Sequence, residues 1–268
     1  MSLYDFICLY QGFVALNEIL LLLPPAMPLV DVGLLVAASC VTSFITAAFG
    51  IGGGVVLLAF LALVLPPVAL IPVHGVVQLG SNGGRVAIMS KHVLWRPILP
   101  FVIGALIGAT IGGLVVVQLP SWLIQLALGI FIIWAVFAKL PLIQQRYILL
   151  GGVVSSFLTM FFGATGNFIA AMVKSMNLDP VPHVATHSLM MTFQHSVKVL
   201  IFGLVGFQFG PYMILIIGML VSGFIGTVIG SRFLTKAGGR YFKPVLNTVL
   251  FLAATRLIWA GVEGLLAL

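Results

Sequence analysis

The chain has 268 residues, of which 62% are hydrophobic and only 6% are charged. Soluble domains carry roughly 25% charged residues, so most of this surface cannot face water. The formal net charge of +7 comes from basic residues spread between apolar runs, which positive-inside topology explains without a nucleic-acid partner. The composition excludes a soluble domain and predicts an all-α polytopic membrane protein.

The apolar segments follow one another along the whole chain. Residues 1–28 form an N-terminal extension, either an extra span or an interfacial helix. The first transmembrane repeat, 29–139, contains segments near 29–49, 51–65, 69–90, 97–117 and 121–138. The second, 146–268, contains segments near 146–162, 164–176, 183–203, 211–231 and 244–267. Because the second segment of each repeat is short, it either spans obliquely or enters and returns, which predicts 8–10 transmembrane helices.

The two halves repeat the same pattern 113 residues apart. SFITAAFGIGGGVV, from Ser43 to Val56, aligns without a gap with SFLTMFFGATGNFI, from Ser156 to Ile169. The same register continues into later pairs: Pro67 with Pro180, His74 with His187, Asn82 with His195, and Arg85 with Lys198. Duplicated halves in a membrane protein are typical of transporters that bind substrate between the repeats.

Loop charge predicts that the repeats have inverted topology. The loop after the third segment carries Lys91 and Arg96, so we expect it on the cytoplasmic side. The equivalent loop of the second repeat, 204–210, carries no charge and is expected outside. Inverted repeats suit alternating access around a shared site. A parallel duplication is the alternative.

Polar residues line one helical face of the third segment and recur in the eighth. The third segment carries His74, Gln78, Asn82 and Arg85, and the eighth carries His187, Gln194, His195 and Lys198. Such side chains are costly against lipid, so both stripes are expected to face the protein interior or a water-filled path. Arg85 and Lys198 either offset the charge of a bound anion or snorkel to the interface. Arg256, in the last segment, either pairs with backbone carbonyls or lines the path.

Glycine-rich breaks precede the short segments and form a second set of candidates. Each break starts a short helix whose first amides are free, and free amides at a helix N-terminus bind anions. The candidate contacts are Gly52, Gly53, Gly54, Thr165, Gly166 and Asn167. Close helix packing is the alternative role for these glycines.

The acidic residues narrow the substrate class. All five, Asp5, Glu18, Asp31, Asp179 and Glu263, are predicted near segment ends or in loops. Embedded positive charge without embedded negative charge favours an anionic substrate over a cation or a carboxylate-held sodium ion. No carboxylate or thiolate is placed to complete a set of metal ligands with the histidines, so no metal site is predicted. No cofactor motif and no paired nucleophile and base occur, so catalysis is not expected.

The doubled motif resembles the TauE/SafE family of membrane permeases, also called sulfite exporters. The resemblance rests on SFITAAFGIGGGVVLL with the Pro66-Pro67 turn, the second copy from Ser156, and the stripe ending at Arg85, and it covers about 30–267. It implies a secondary transporter of a sulfur-containing anion, sulfite or an organosulfonate, in the bacterial inner membrane. Gly-Ala-Thr-Gly-Asn replaces the fuller glycine run in the second repeat, so the substrate need not carry over.

The sequence is compatible with more than one mode of transport, coupling, direction and oligomeric state. An anion channel of the same architecture and a non-transporting membrane subunit are the alternatives to a carrier. Protons are a candidate coupling partner through a histidine. The direction of transport and the oligomeric state are not set by the sequence.

Overall fold

The computed structural model describes residues 27–50, 52–116, 119–137, 143–234 and 242–267. Within these ranges the chain forms ten α-helices and no strand. They are α1 Leu29–Phe49, α2 Gly53–Val64, α3 Pro67–Met89, α4 Ile98–Val116, α5 Ser121–Phe137, α6 Ile148–Phe162, α7 Gly166–Lys174, α8 Pro180–Leu204, α9 Met213–Ser231 and α10 Phe242–Leu266. The predicted all-α architecture is confirmed, whereas the predictions for residues 1–26 fall outside the described residues.

Within the part of the chain that the structure describes, four helical stretches are long and apolar enough to cross a bilayer. They are Leu29–Phe49, Ile98–Val116, Gln145–Phe162 and Gly210–Ser231. The helices α3 and α8 are longer, at 23 and 25 residues, but the polar stripes lower their hydropathy. By contrast α7 has nine residues, about 14 Å of helix, which is less than half of a hydrocarbon core about 30 Å thick.

Glycine and proline set the ends of the elements that matter for function. The first break begins where α1 stops at Gly50 (φ 85°), and the second where α6 stops at Gly163 (φ 70°). Both φ values lie in the region that glycine adopts without a Cβ clash. The long helices α3 and α8 start at Pro67 and Pro180, where proline fits the first helical turn.

The first helix of each half packs against the fourth helix of the other half. In the α4–α6 pair, a Cβ added to Gly104 would collide with the backbone oxygen of Leu149. In the α1–α9 pair, a Cβ on Gly230 would collide with the backbone oxygen of Phe44. These glycines therefore allow backbone-to-backbone packing, the usual role of small residues between membrane helices.

The centre of the bundle is the α3–α8 pair. Arg85 of α3 contacts Ser188 of α8, and near the other end the Lys198 side chain lies against Gly75. Residue numbers increase along α3 from Gly75 to Arg85, whereas those of their partners on α8 decrease from Lys198 to Ser188. The two helices are therefore antiparallel where they meet. In the 113-residue register Arg85 corresponds to Lys198 and Gly75 to Ser188. Each contact is therefore the counterpart of the other with the halves exchanged.

The surface of the bundle is apolar, and polar and charged side chains are buried at its centre. The exposed face of α4 carries Ile103, Leu106 and Leu114, whereas the centre buries Arg85 and Lys198 completely. Exposed apolar side chains together with buried charged ones fit a protein surrounded by lipid.

Candidate functional site

The two short helices begin inside the bundle, one from each half. The first turn of α2 lies against α3, where His74 Nε2 donates to the Gly54 carbonyl oxygen at 2.9 Å. The first turn of α7 lies against α8 in the same way, with His187 Nε2 donating to Gly166 O at 3.2 Å. His74 and His187 are equivalent positions, so the two halves build the same local structure. Both helix N-termini, with their free amides, are thereby directed to the interior.

A small cavity of about 30 Å³ lies between these N-termini. Nine of the predicted site residues line it: Gly52, Gly54, His74, Gln78, Asn82, Gly166, Asn167, His187 and His195. The space accommodates about two water-sized molecules. The wall combines imidazole, amide and backbone groups, and every polar stripe residue of α3 except Arg85 contributes to it.

Arg85 lies immediately behind this wall and is fully buried. Its Nη2 donates to Asn82 Oδ1 at 2.6 Å, its Nη1 to Ser81 Oγ at 3.1 Å, and its Nε to Ser188 Oγ at 3.0 Å. Three of the five guanidinium N–H groups are thus used, and all three acceptors are neutral. The guanidinium is fixed in orientation while its charge is not matched by a carboxylate among the described residues.

Lys198 occupies the equivalent position on the other side and is also fully buried. Its Nζ donates to the carbonyl oxygen of Gly163, in the second break, at 3.2 Å. Thr159 Oγ1 donates to the same oxygen at 3.0 Å. The ammonium has one such bond and three N–H donors, so it keeps donors for a further acceptor. Since neither cation reaches the surface, snorkelling does not describe them.

His195 is the group most clearly without a protein partner. It is fully buried, and neither of its ring nitrogens has a hydrogen-bond partner within the described part of the chain. Its ring lies edge-on to that of His74, with 6.0 Å between the centroids. A buried polar side chain without a partner is costly, so a cavity-lining imidazole of this kind indicates a place for a polar ligand.

The family assignment follows from comparison with known proteins. The sequence model of a family described as sulfite exporter TauE/SafE matches residues 34–257. The chain belongs to the TauE/SafE family. No curated protein and no solved structure matches it. The match runs from α1 to α10 and includes every candidate site residue, so this member of the TauE/SafE family is a multi-pass membrane transporter.

Apart from Arg85 and Lys198, four predicted site residues do not line the cavity. Gln194 Nε2 donates to Ser156 Oγ at 3.0 Å, and its Oε1 accepts from Thr165 Oγ1 at 3.2 Å. These bonds join α8 to both sides of the second break. Gly53 packs where a Cβ would collide with the Thr42 carbonyl oxygen, which fits the packing alternative. Arg256 lies apart: its side chain is exposed and Nη1 donates to Leu63 O at 3.0 Å, the backbone pairing that was the alternative to lining the path.

Sequence reasoning missed several residues of the site. Ser81 and Ser188 hold Arg85, and Val55, Ala164 and Met191 belong to the cavity wall. The position of Ser81, one helical turn before Arg85, could have shown that it shares the stripe. No signal of this kind exists for Ser188, which is 103 residues from its partner.

Proposed function

We propose that this TauE/SafE protein is a secondary transporter that carries a small sulfur-containing anion across the cell membrane by alternating access. The observation that carries the proposal is a pair of buried cations beside a cavity that two helix N-termini enter. Arg85 binds the wall residue Asn82, and Lys198 binds Gly163, next to the wall residue Ala164. The assignment to the inner membrane of a bacterial-type cell is part of the same proposal.

The electrostatics favour an anion. Removing an ion from water costs several kcal/mol even after relaxation, unless a counter-charge offsets it. Arg85 and Lys198 are bound only to neutral oxygens among the described residues. An anion in the cavity would supply the missing charge, and the free amides of α2 and α7 would stabilise it further.

The antiparallel contact of α3 with α8 supports inverted repeats. These helices occupy equivalent positions in the two halves, and an antiparallel relation between them is what we expect if one half is turned over relative to the other. Two such halves can exchange conformations, which opens a central site to either side in turn. The two breaks provide the discontinuous helices on which this kind of site is built.

The size of the cavity supports a compact substrate. About 30 Å³ fits a few atoms, which favours sulfite over a longer organosulfonate in this conformation. A longer substrate would require the two breaks to move apart.

Flux through the purified chain in liposomes tests the proposal. We expect labelled sulfite to enter in a saturable way, and unlabelled sulfite inside to accelerate entry by exchange. Arg85→Gln and Lys198→Gln should abolish this flux while the variants still insert into membranes. Lys91→Gln, which removes an exposed charge, is the matched control and should transport normally.

Each alternative has its own outcome. Non-saturable flux without exchange would indicate an anion channel. Absence of flux in the purified wild-type chain would indicate a subunit that does not transport alone. Normal flux in both glutamine variants would contradict the role given to the two cations.

A further inference from the structure

The two repeats differ in chemistry at two equivalent positions of the central helices. The first repeat has Asn82 and Arg85 where the second has His195 and Lys198. An amide does not titrate and arginine keeps its proton, whereas imidazole and amine groups gain and lose protons. One side of the cavity therefore carries a permanent charge, and the other side carries groups that exchange protons.

The surroundings of Lys198 do not fix its charge. The side chain is fully buried, and its Nζ donates to the carbonyl oxygen of Gly163 at 3.2 Å, with no carboxylate beside it among the described residues. A neutral amine and an ammonium both donate to a carbonyl oxygen, so this contact is compatible with either form. A buried charge without a counter-charge costs several kcal/mol, and a lysine avoids this cost by releasing its proton. We therefore expect the neutral amine when the cavity holds no anion.

Two cavity histidines lie beside Lys198. His195 precedes it by three residues on the same face of α8. The Nδ1 atom of His74 would be 3.4 Å from a Cβ built on Gly163, the residue whose carbonyl Lys198 binds. Since Nε2 of His74 donates to Gly54 O, Nδ1 is the acceptor of the neutral ring, and it has no partner among the described residues. Proton acceptors thus lie next to both the cavity and Lys198.

No other titratable group packs against this part of α8 in the described chain. Helices α4 and α6, which also pack on α8, contain no charged or titratable residue. Arg85 binds Ser188, which precedes Lys198 by ten residues, about 15 Å along a helix. The remaining charged or titratable groups of α8 and of the elements packed on it lie toward that same end: Lys91, His92, Lys174, His183 and His187.

We propose that Lys198 carries a coupled proton, which its amine takes up from solvent when the anion binds and returns to solvent when the anion leaves. The bound anion supplies the counter-charge of the ammonium, and by linkage the protonated lysine binds the anion more tightly. Arg85 provides a charge that does not change during the cycle. Anion and proton therefore cross the membrane together. This inference rests on the proposed anion transport and adds the coupling ion and the residue that carries it.

Proton uptake on binding tests the inference without a transport assay. The purified full chain would be titrated calorimetrically with sulfite in buffers of different ionisation enthalpy, and the dependence of the observed heat on that enthalpy gives the protons taken up per bound anion. In mildly alkaline buffer sulfite is mainly the dianion, so the substrate brings no proton. We expect the wild type to take up about one proton per sulfite. Binding without proton uptake would overturn the inference and leave anion transport standing.

Lys198→Met shows where the proton goes. Methionine keeps the length of the side chain but has no amine, so this variant should bind sulfite more weakly and without proton uptake. His195→Asn is the control, because asparagine already occupies the equivalent position, Asn82, and it should keep the proton uptake of the wild type. Proton uptake that persists in Lys198→Met would place the proton on sulfite or on a histidine. Loss of proton uptake in His195→Asn would assign the proton to His195. Either result would overturn the inference.

Two further outcomes are decisive. If Lys198→Met does not fold or bind sulfite, Lys198→Arg replaces it, because arginine keeps its proton in both states and should likewise show no proton uptake. If neither variant binds, the wild-type count decides alone: about one proton supports the inference and none overturns it. If no anion binds to or moves through the wild-type chain, the proposed transport function itself is wrong.

Discussion

Replacing Gly75 by alanine should impair transport by displacing a cation without unfolding the protein. A Cβ at this position would lie 2.7 Å from Cε of Lys198, whereas ordinary contacts are 3.4–4 Å. The end of the lysine must therefore move by about 1 Å. Its Nζ, which donates to Gly163 O at 3.2 Å, is displaced from its present position by this shift. Because the proposed role of Lys198 is to offset the charge of the bound anion, anion affinity should fall at least about tenfold, which corresponds to a loss of about 1.4 kcal/mol of this attraction.

The stability of Gly75→Ala should change little. The group that must move is the end of a flexible side chain, so the overpacking cost falls at the low end of about 1–3 kcal/mol. Alanine regains about 1 kcal/mol of helix propensity relative to glycine. The melting temperature in detergent should therefore stay close to that of the wild type.

Gly83→Ala is the matched control in the same helix. Nothing lies within 4 Å of a Cβ built on Gly83, so this variant should transport normally and be slightly more stable. Initial rates of labelled sulfite uptake into liposomes would be compared at equal reconstituted protein. Equal uptake by Gly75→Ala and Gly83→Ala would refute the idea that the position of Lys198 matters for transport.

Three further predictions concern topology, packing and ligand contact. Reporter tags at residues 92 and 205 should lie on opposite sides of the membrane, and a common side would contradict inverted repeats. Gly108→Ala should lower the melting temperature, because its Cβ would collide with a backbone oxygen of α6. Gly33→Ala is the control and should not lower it, because nothing lies within 4 Å of a Cβ at Gly33. Equal melting temperatures in the two variants would refute this packing. His195→Asn should change the melting temperature little, since neither ring nitrogen has a hydrogen bond to lose among the described residues, but it should reduce uptake at least about tenfold. Undiminished uptake would exclude His195 from the site.

The helices and breaks could be predicted from the sequence because they depend on local signals. Apolar runs of bilayer length, prolines at the starts of α3 and α8, and glycines at Gly50 and Gly163 place the elements within a few residues of where the structure has them. The stripe was also predictable, since a period of 3.6 residues places His74 and Arg85 on one face. The duplication then predicted that α8 would carry a matching stripe.

The partners of the site residues could not be predicted in the same way. Periodicity assigns a residue to a face but does not say which helix that face meets, so the bonds of Arg85 to Ser188 and of Lys198 to Gly163 had no signal in the sequence. Arg256 shows the opposite case. Its place mid-segment is compatible with two roles, and its hydrogen-bond acceptor, Leu63 O, lies 193 residues away in the chain.

The position of a bound anion tests the central claim most directly. Crystals of the full chain grown with selenite, a heavier relative of sulfite, would locate the anion by anomalous scattering. The account predicts one site between the first turns of α2 and α7, within hydrogen-bond distance of His195 and flanked by Arg85 and Lys198. Selenite bound elsewhere, with this cavity unoccupied at saturating concentration, would contradict it.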